Sequence, residues 1–357
     1  MTKRACLAAL AFMVISFAAP MEVSVAETTA APHAATLPGD VWQAWRQRFV
    51  APEGRVIDNV NGNISHTEGQ GYGMLFAAFA GDRPTFDKLW AWTVTNLGIR
   101  DDALFAWRFD PRTSPAVSDR NNATDGDILI AWALMEAAGR FTAPDYRRFA
   151  ALIARAIAAK TFDDSGTARL LLPAAAGFSA RERKDGPVVN LSYWVYPALP
   201  ALKAAAPEYD WDRVFAAGLD LTTAARFGKH QLPPDWISLA GGRPAPATGF
   251  PAEFGWNAIR VPLYLAWAGN TGPVLAPFVA WARQGGRDPQ VIDVIADKPV
   301  KPFGGAPYGA VTGLVACAVD NVKLDDAVRT APMEQYYPST LRLLALAAAA
   351  ARYPQCL

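Results

Sequence analysis

Ala123-Thr124-Asp125-Gly126-Asp127-Ile128-Leu129-Ile130-Ala131-Trp132-Ala133-Leu134 reads as the opening of a helix. Past the acids, Ile128, Ala131, Trp132, Met135 and Ala138 recur at spacings of three and four, which gives one buried face. Thr124 or Asp125 is the expected N-cap. Capping uses one acid at most, and the second is left for other work. Upstream, Ser65-His66-Thr67-Glu68-Gly69-Gln70-Gly71-Tyr72-Gly73-Met74 sets another carboxylate, Glu68, among small residues just before an apolar helical run. Two acids framed in this way by helix starts suggest acid/base chemistry.

Outward from these blocks the chain alternates Ala-rich apolar runs with loops of Gly, Pro, Asp and Asn. The periodicity predicts helices over 41–50, 69–80, 84–97, 124–139, 143–160, 191–205, 210–226, 256–269, 272–285, 307–319 and 338–352. Asp82-Arg83-Pro84 and Thr142-Ala143-Pro144-Asp145 add start signals. The loops after 97, 160, 226 and 285 are long for a simple bundle, and long ordered loops usually cover a site. No strict repeat is present, which disfavours a solenoid. The expected architecture is all-α, a toroid of helical hairpins forming a single domain over residues 40–357.

The first residues bear on where the chain works. Lys3 and Arg4 precede an apolar run from Ala5 to Ala19, and Ser24-Val25-Ala26 offers small residues for cleavage, so residues 1–26 read as a signal peptide. Residues 27–39 read as a flexible leader. The expected location is periplasmic or secreted. Removing Lys3, Arg4 and Glu22 from 34 basic and 33 acidic residues leaves the rest formally neutral. Neutrality argues against a nucleic acid or lipid surface, both of which need clustered Lys and Arg. A neutral polymer stays open, and 12 Trp supply flat ring faces suited to the C–H face of a sugar, although most are expected to fill the core. Cys317 and Cys356 can form one disulfide in an oxidising compartment or stay as thiols. His33, His66 and His230 show no metal-ligand spacing with them, and no metal or cofactor is expected.

Each candidate residue carries a plainer alternative. Glu68 can be a carboxylate that complements a helix N-terminus. As a general acid it also needs burial or a nearby carboxylate to keep its proton. Gly69, Gly71 and Gly73 leave alternate positions bare where a substrate could approach the backbone, but they do not form Gly-x-Gly-x-x-Gly. A calcium loop starting at Asp119 fails, because Thr124 falls where that loop needs glycine. Asn257 and Arg260, three apart in Trp256-Asn257-Ala258-Ile259-Arg260, can bind a polar ligand or brace each other. Asn190-Leu191-Ser192-Tyr193-Trp194 and Tyr336-Tyr337-Pro338-Ser339-Thr340 are open between core and site in the same way.

The block from Ala123 to Leu134 resembles the signature of glycoside hydrolase family 8, and Thr67 to Met74 resembles that family's general-acid block. Asn190 to Tyr193 and Trp256 to Arg260 follow in the family's order, and the resemblance covers about residues 41–350. Glu53-Gly54-Arg55-Val56-Ile57-Asp58 is similar to the group of periplasmic endo-β-1,4-glucanases that accompanies bacterial cellulose synthesis. The resemblance implies an (α/α)6 barrel with a substrate groove and inverting hydrolysis of β-1,4-glucan, with xylan and chitosan as variants. It makes Glu68 the proton donor and Asp125 a central-subsite acid, the second catalytic carboxylate. It also places Asp127, Tyr193, Trp256, Asn257, Arg260 and Trp132 on the substrate. The implied partner is a glucan, with a cellulose synthase as a functional associate, no nucleic acid, and a monomeric state.

One departure stands out. Many members carry Asp, the water-activating base, where this chain has Asn257, and an amide does not take a proton as a carboxylate does. Another acid such as Asp125, Glu253 or Asp119 is the expected base. The alternatives are an Asn257 that only orients water and a glucan-binding protein with little turnover.

Overall fold

The apolar run after Asp125 is enclosed on every side, with each residue from Ile128 to Leu134 buried. A helix apolar all round belongs inside a layer of others, and an amphipathic one belongs outside. The computed structural model describes residues 34–357, so the expected signal peptide and leader residues 27–33 lie outside the described residues. Within them the helices are α1 (Gly39–Phe49), α2 (Thr67–Phe79), α3 (Arg83–Leu97), α4 (Thr124–Arg140), α5 (Pro144–Thr161), α6 (Leu199–Ala205), α7 (Trp211–Ala224), α8 (Arg260–Ala268), α9 (Ala276–Gly285), α10 (Gly309–Asp320), α11 (Asp326–Arg329) and α12 (Tyr336–Arg352).

They alternate between two layers. Helices α2, α4, α8 and α12 are buried almost throughout, whereas α1 buries only Trp42, Trp45 and Phe49, and α5 only its 150-153-154-157-158-161 stripe. The even-numbered helices form an inner ring of six and the odd-numbered ones an outer ring, an (α/α)6 barrel. Ring closure runs through α1, where the Trp45 indole donates to Thr340 on α12 (3.1 Å) and meets Phe76 of α2 edge-on. Cys317 on α10 is joined by a disulfide to Cys356 in the tail.

Ten of the eleven expected helices are present within a few residues, the eleventh is broken, and the short α11 is not among those expected. The stretch 191–205 is two 3-10 turns, Leu191–Tyr193 and Tyr196–Ala198, followed by the short α6, because Pro197 and Pro200 interrupt the hydrogen-bond ladder. Helix α8 starts at Arg260, after a turn over 256–259. The cap expected at α4 is not made. Thr124 lies inside the helix and donates to the Leu172 carbonyl (2.8 Å), and Ala123 is the N-cap without a side-chain bond. On α2 the cap is His66, whose Nδ1 accepts the Gly69 N–H at 3.0 Å.

The glycines of α2 serve packing rather than substrate approach. A Cβ on Gly71 would stand 2.5 Å from the Leu129 Cβ, so its absence lets α2 and α4 touch backbone to backbone. Gly126 is the counterpart on α4, where a Cβ would meet Thr67 Oγ1 at 2.1 Å. This close crossing brings Glu68 and Asp125 side by side.

Among the described residues, ten short antiparallel strands, absent from the sequence reading, fasten the long loops. Ser65–His66 pairs with Arg108–Phe109, which fixes the start of α2 against the loop bearing Trp107. Glu253–Phe254 pairs with Gln290–Asp293 just ahead of α8. Strands of two to five residues show too little period for a sequence to reveal.

Candidate active site

The N-terminal ends of the six inner helices open onto one groove of about 700 Å³. Glu68 comes from the first turn of α2 and Asp125 from that of α4. Tyr193 precedes α6, Arg260 begins α8, Tyr308 precedes α10 and Tyr336 begins α12, and all of them line the groove. Helix N-termini carry partial positive charge, which suits a rim of acids.

Arg260 organises the floor. Its side chain is only 3% exposed, and Nη1 donates to both Glu68 Oε2 and Asp125 Oδ2, the latter at 2.9 Å. Nη2 donates to Ser192 Oγ and Asn257 Oδ1, each at 2.9 Å. Ser192 is itself held by Asn190, whose Oδ1 accepts the Ser192 hydroxyl at 2.8 Å. The surrounding carboxylates keep the guanidinium charged in spite of its burial.

Burial pushes the Asp125 carboxyl up to about 7, with the adjacent Glu68 adding to the rise and Arg260 opposing it. Asp125 thus holds a proton at weakly acidic pH. Two ordinary hydrogen bonds to one nitrogen keep the Glu68 and Asp125 oxygens within roughly 6 Å of each other. A water-activating base in an inverting pair stands roughly 6.5 to 9.5 Å from the acid. Asp125 therefore sits beside Glu68, closer than such a base would stand.

A third groove carboxylate, Asp58, approaches His66 Nε2 at 3.8 Å. Burial opposes its charge, but the His66 bond and charge and the backbone N–H groups of Val60 and Asn61 hold it below the usual carboxylate range. His66 is raised even though burial lowers it, because Asp58, Glu68 and Asp125 face it. The groove wall is aromatic. Trp256, at 38% exposure, stands edge-on to Phe303 at 4.9 Å between ring centres, and Trp107 is held by its indole N–H to Asp119 at 2.8 Å.

Six of the expected site residues, Glu68, Asp125, Tyr193, Trp256, Asn257 and Arg260, share this groove. Asp127 and Trp132 do not line it, and here the structure corrects the sequence reading. Two residues after Asp125, about 200° round the helix, Asp127 points away to accept from the Phe105 N–H (3.0 Å) and Asn122 Nδ2 (2.9 Å). Burial pushes its carboxyl up to about 8 against those donors. Trp132 shares the face of Asp125 but lies two turns deeper, about 10 Å down the axis. It packs there against Phe79 and Trp267 at 4% exposure.

Of the other acids considered as base, neither Asp119 nor Glu253 lines the groove. Residues not singled out beforehand are Asp58, His66, Trp107, Ser192 and Asp235. Asp235 Oδ1 accepts the N–H groups of Gly255, Asn257 and Ala258 at 3.1, 3.2 and 2.7 Å, which shapes the turn before α8. Pro233-Pro234-Asp235 marks a loop in the sequence, but nothing there points to residue 257.

The family model described as "Glycosyl hydrolases family 8" matches residues 14–351. A protein named "Probable endoglucanase" from Novacetimonas hansenii is 40% identical over 311 residues, 85% of this chain and 88% of its own length. Among solved structures, a family 8 endoglucanase from Klebsiella pneumoniae superposes with a TM-score of 0.80 at 34% identity, covering 87% of this chain and 98% of that one. An endo-β-1,4-glucanase from Acetobacter xylinum gives 0.79 at 38% identity, over 88% and 98%.

Proposed function

We propose that this chain, which belongs to glycosyl hydrolases family 8, uses its groove as an inverting endo-β-1,4-glucanase, with Glu68 protonating the leaving glycosidic oxygen. The observation that carries the reading is the Glu68–Arg260–Asp125 cluster on the floor of an open, aromatic-walled groove. A polymer can thread such a groove and be cut within its length. Arg260 fixes the direction of the Glu68 carboxyl, and the wall rings hold sugars on either side of the bond.

Cellulose is the substrate we propose, over xylan and chitosan, and the similarity to proteins named as endoglucanases supports it. The export site is also part of the proposal. The basic-apolar leader supports it, as does a disulfide between Cys317 and Cys356, a bond at home in an oxidising compartment. We extend the reading to trimming of nascent glucan beside a synthase, as a monomer. Soluble carboxymethyl cellulose, xylan and chitosan incubated with the purified chain test the substrate. The expected result is a rapid fall in viscosity and release of reducing ends from the cellulose derivative, at least tenfold faster than from the other two. Preference for xylan or chitosan would contradict the assignment, and glucan binding without any turnover would support a binding protein instead.

A further inference from the structure

Inversion needs a group that takes a proton from the attacking water, and the turn before α8 presents the amide of Asn257 to the groove. The carboxylates that line the groove are Asp58, Glu68 and Asp125. Glu68 is the acid and Asp125 shares its guanidinium nitrogen. Asp58 is turned into its own loop, accepting the Val60 N–H at 3.2 Å and facing His66. Behind Asn257 stands Asp235.

We infer that Asn257 relays the proton of the attacking water to Asp235, an assignment that rests on the endoglucanase reading above. Arg260 has only donors, so Asn257 turns Oδ1 to its Nη2 (2.9 Å), which leaves Nδ2 on the side of the Asp235 carboxylate, whose Oδ1 takes the backbone N–H of the same residue at 3.2 Å. The Asn257 oxygen and the Glu68 carboxylate occupy different nitrogens of the guanidinium, so the amide is set apart from the acid in a way Asp125 is not. Burial holds the Asp235 carboxyl above the ordinary range in spite of its three backbone donors, which makes it a better proton acceptor.

In the step, the water oxygen bonds to the anomeric carbon as the bond to the leaving oxygen breaks, and the leaving oxygen takes the proton of Glu68. The water's proton goes to Asn257 Oδ1 while Nδ2 gives one of its own to Asp235, so the amide becomes its imidic acid. As product leaves, Asp235 returns its proton to Nδ2, Oδ1 releases its proton to bulk water, and water reprotonates Glu68. Asp235 acts through Asn257 and touches no substrate.

Steady-state kinetics on soluble carboxymethyl cellulose test this. Asp235→Asn keeps an Oδ1 for all three N–H groups, so the turn is preserved, but the new amide cannot accept a proton. The expected result is a fall in kcat of about 100-fold or more with KM within about threefold. Asn257→Asp supplies a carboxylate that takes the proton directly, so the double variant Asp235→Asn/Asn257→Asp is expected to recover at least tenfold over Asp235→Asn. A structural cap at Asp235 predicts no such rescue. Near wild-type kcat in Asp235→Asn, or a double variant no faster than that single, overturns the relay. So does an active Asp235→Asn alongside an Asp58→Asn variant that loses kcat. If the wild type itself shows no turnover on any glucan, the endoglucanase reading fails and takes the relay with it.

Discussion

Glu68→Gln is expected to lower the release of reducing ends by about 10²- to 10⁴-fold, the range set by loss of general-acid assistance. The substitution is close to isosteric. The Gln oxygen still accepts from Arg260, and its NH₂ faces Asp125, so the cluster keeps its hydrogen bonds. What it lacks is a proton to give to the leaving oxygen. Thermal unfolding within a few degrees of wild type, together with the lost rate, would place the effect in chemistry. A Glu68→Gln variant with ordinary turnover would remove the role assigned to this residue.

Arg260→Met is expected to be the most damaging single change to the fold of the site. The guanidinium is buried and serves four acceptors: Glu68, Asp125, Ser192 and Asn257. Removing one partner of a buried ionic cluster leaves uncompensated charge, at a cost of about 3 to 5 kcal/mol. The loss depends on pH. With its folded value raised to about 7, Asp125 contributes stability below the ordinary carboxylate value that is lost as pH rises through about 7. Without Arg260, which lowers that value, the carboxyl rises further, and its proton can offset part of the repulsion only in acid. Calorimetric unfolding at pH 5 and pH 8 should therefore show the variant destabilised at both, and more so at pH 8. An equal or smaller loss at pH 8 would contradict the electrostatic account of the cluster.

The parts of this molecule that show in its sequence are those written in short-range pattern. The existence of the long helices shows in their Ala-rich apolar runs, but the single buried face expected after Asp125 understates α4, whose residues from Ile128 to Leu134 are all enclosed. Prolines mark where 191–205 breaks up, although the helical period runs over them. The groove is only half legible. Glu68 and Asp125 stand out because acids before apolar runs are distinctive, but their pairing depends on Gly71 letting α2 and α4 close, a contact between residues far apart in the chain. Trp132 shows the limit of face-sharing arguments, since the same face two turns deeper is core. Asp235 shows another limit. It reaches Asn257 across a 22-residue separation in a loop without period, so only the folded chain reveals the contact.

The central claim is that Glu68 delivers a proton to the leaving group while water attacks from the opposite side, with Asp125 held to Arg260 beside the acid and not acting as a nucleophile. Proton NMR of a short cello-oligosaccharide, followed from the first seconds after the purified chain is added, tests this most directly. The account predicts that the α-anomer of the new reducing end accumulates first and then mutarotates toward equilibrium. Initial release of the β-anomer would mean retention, and would contradict the mechanism built on Glu68, Arg260 and Asn257.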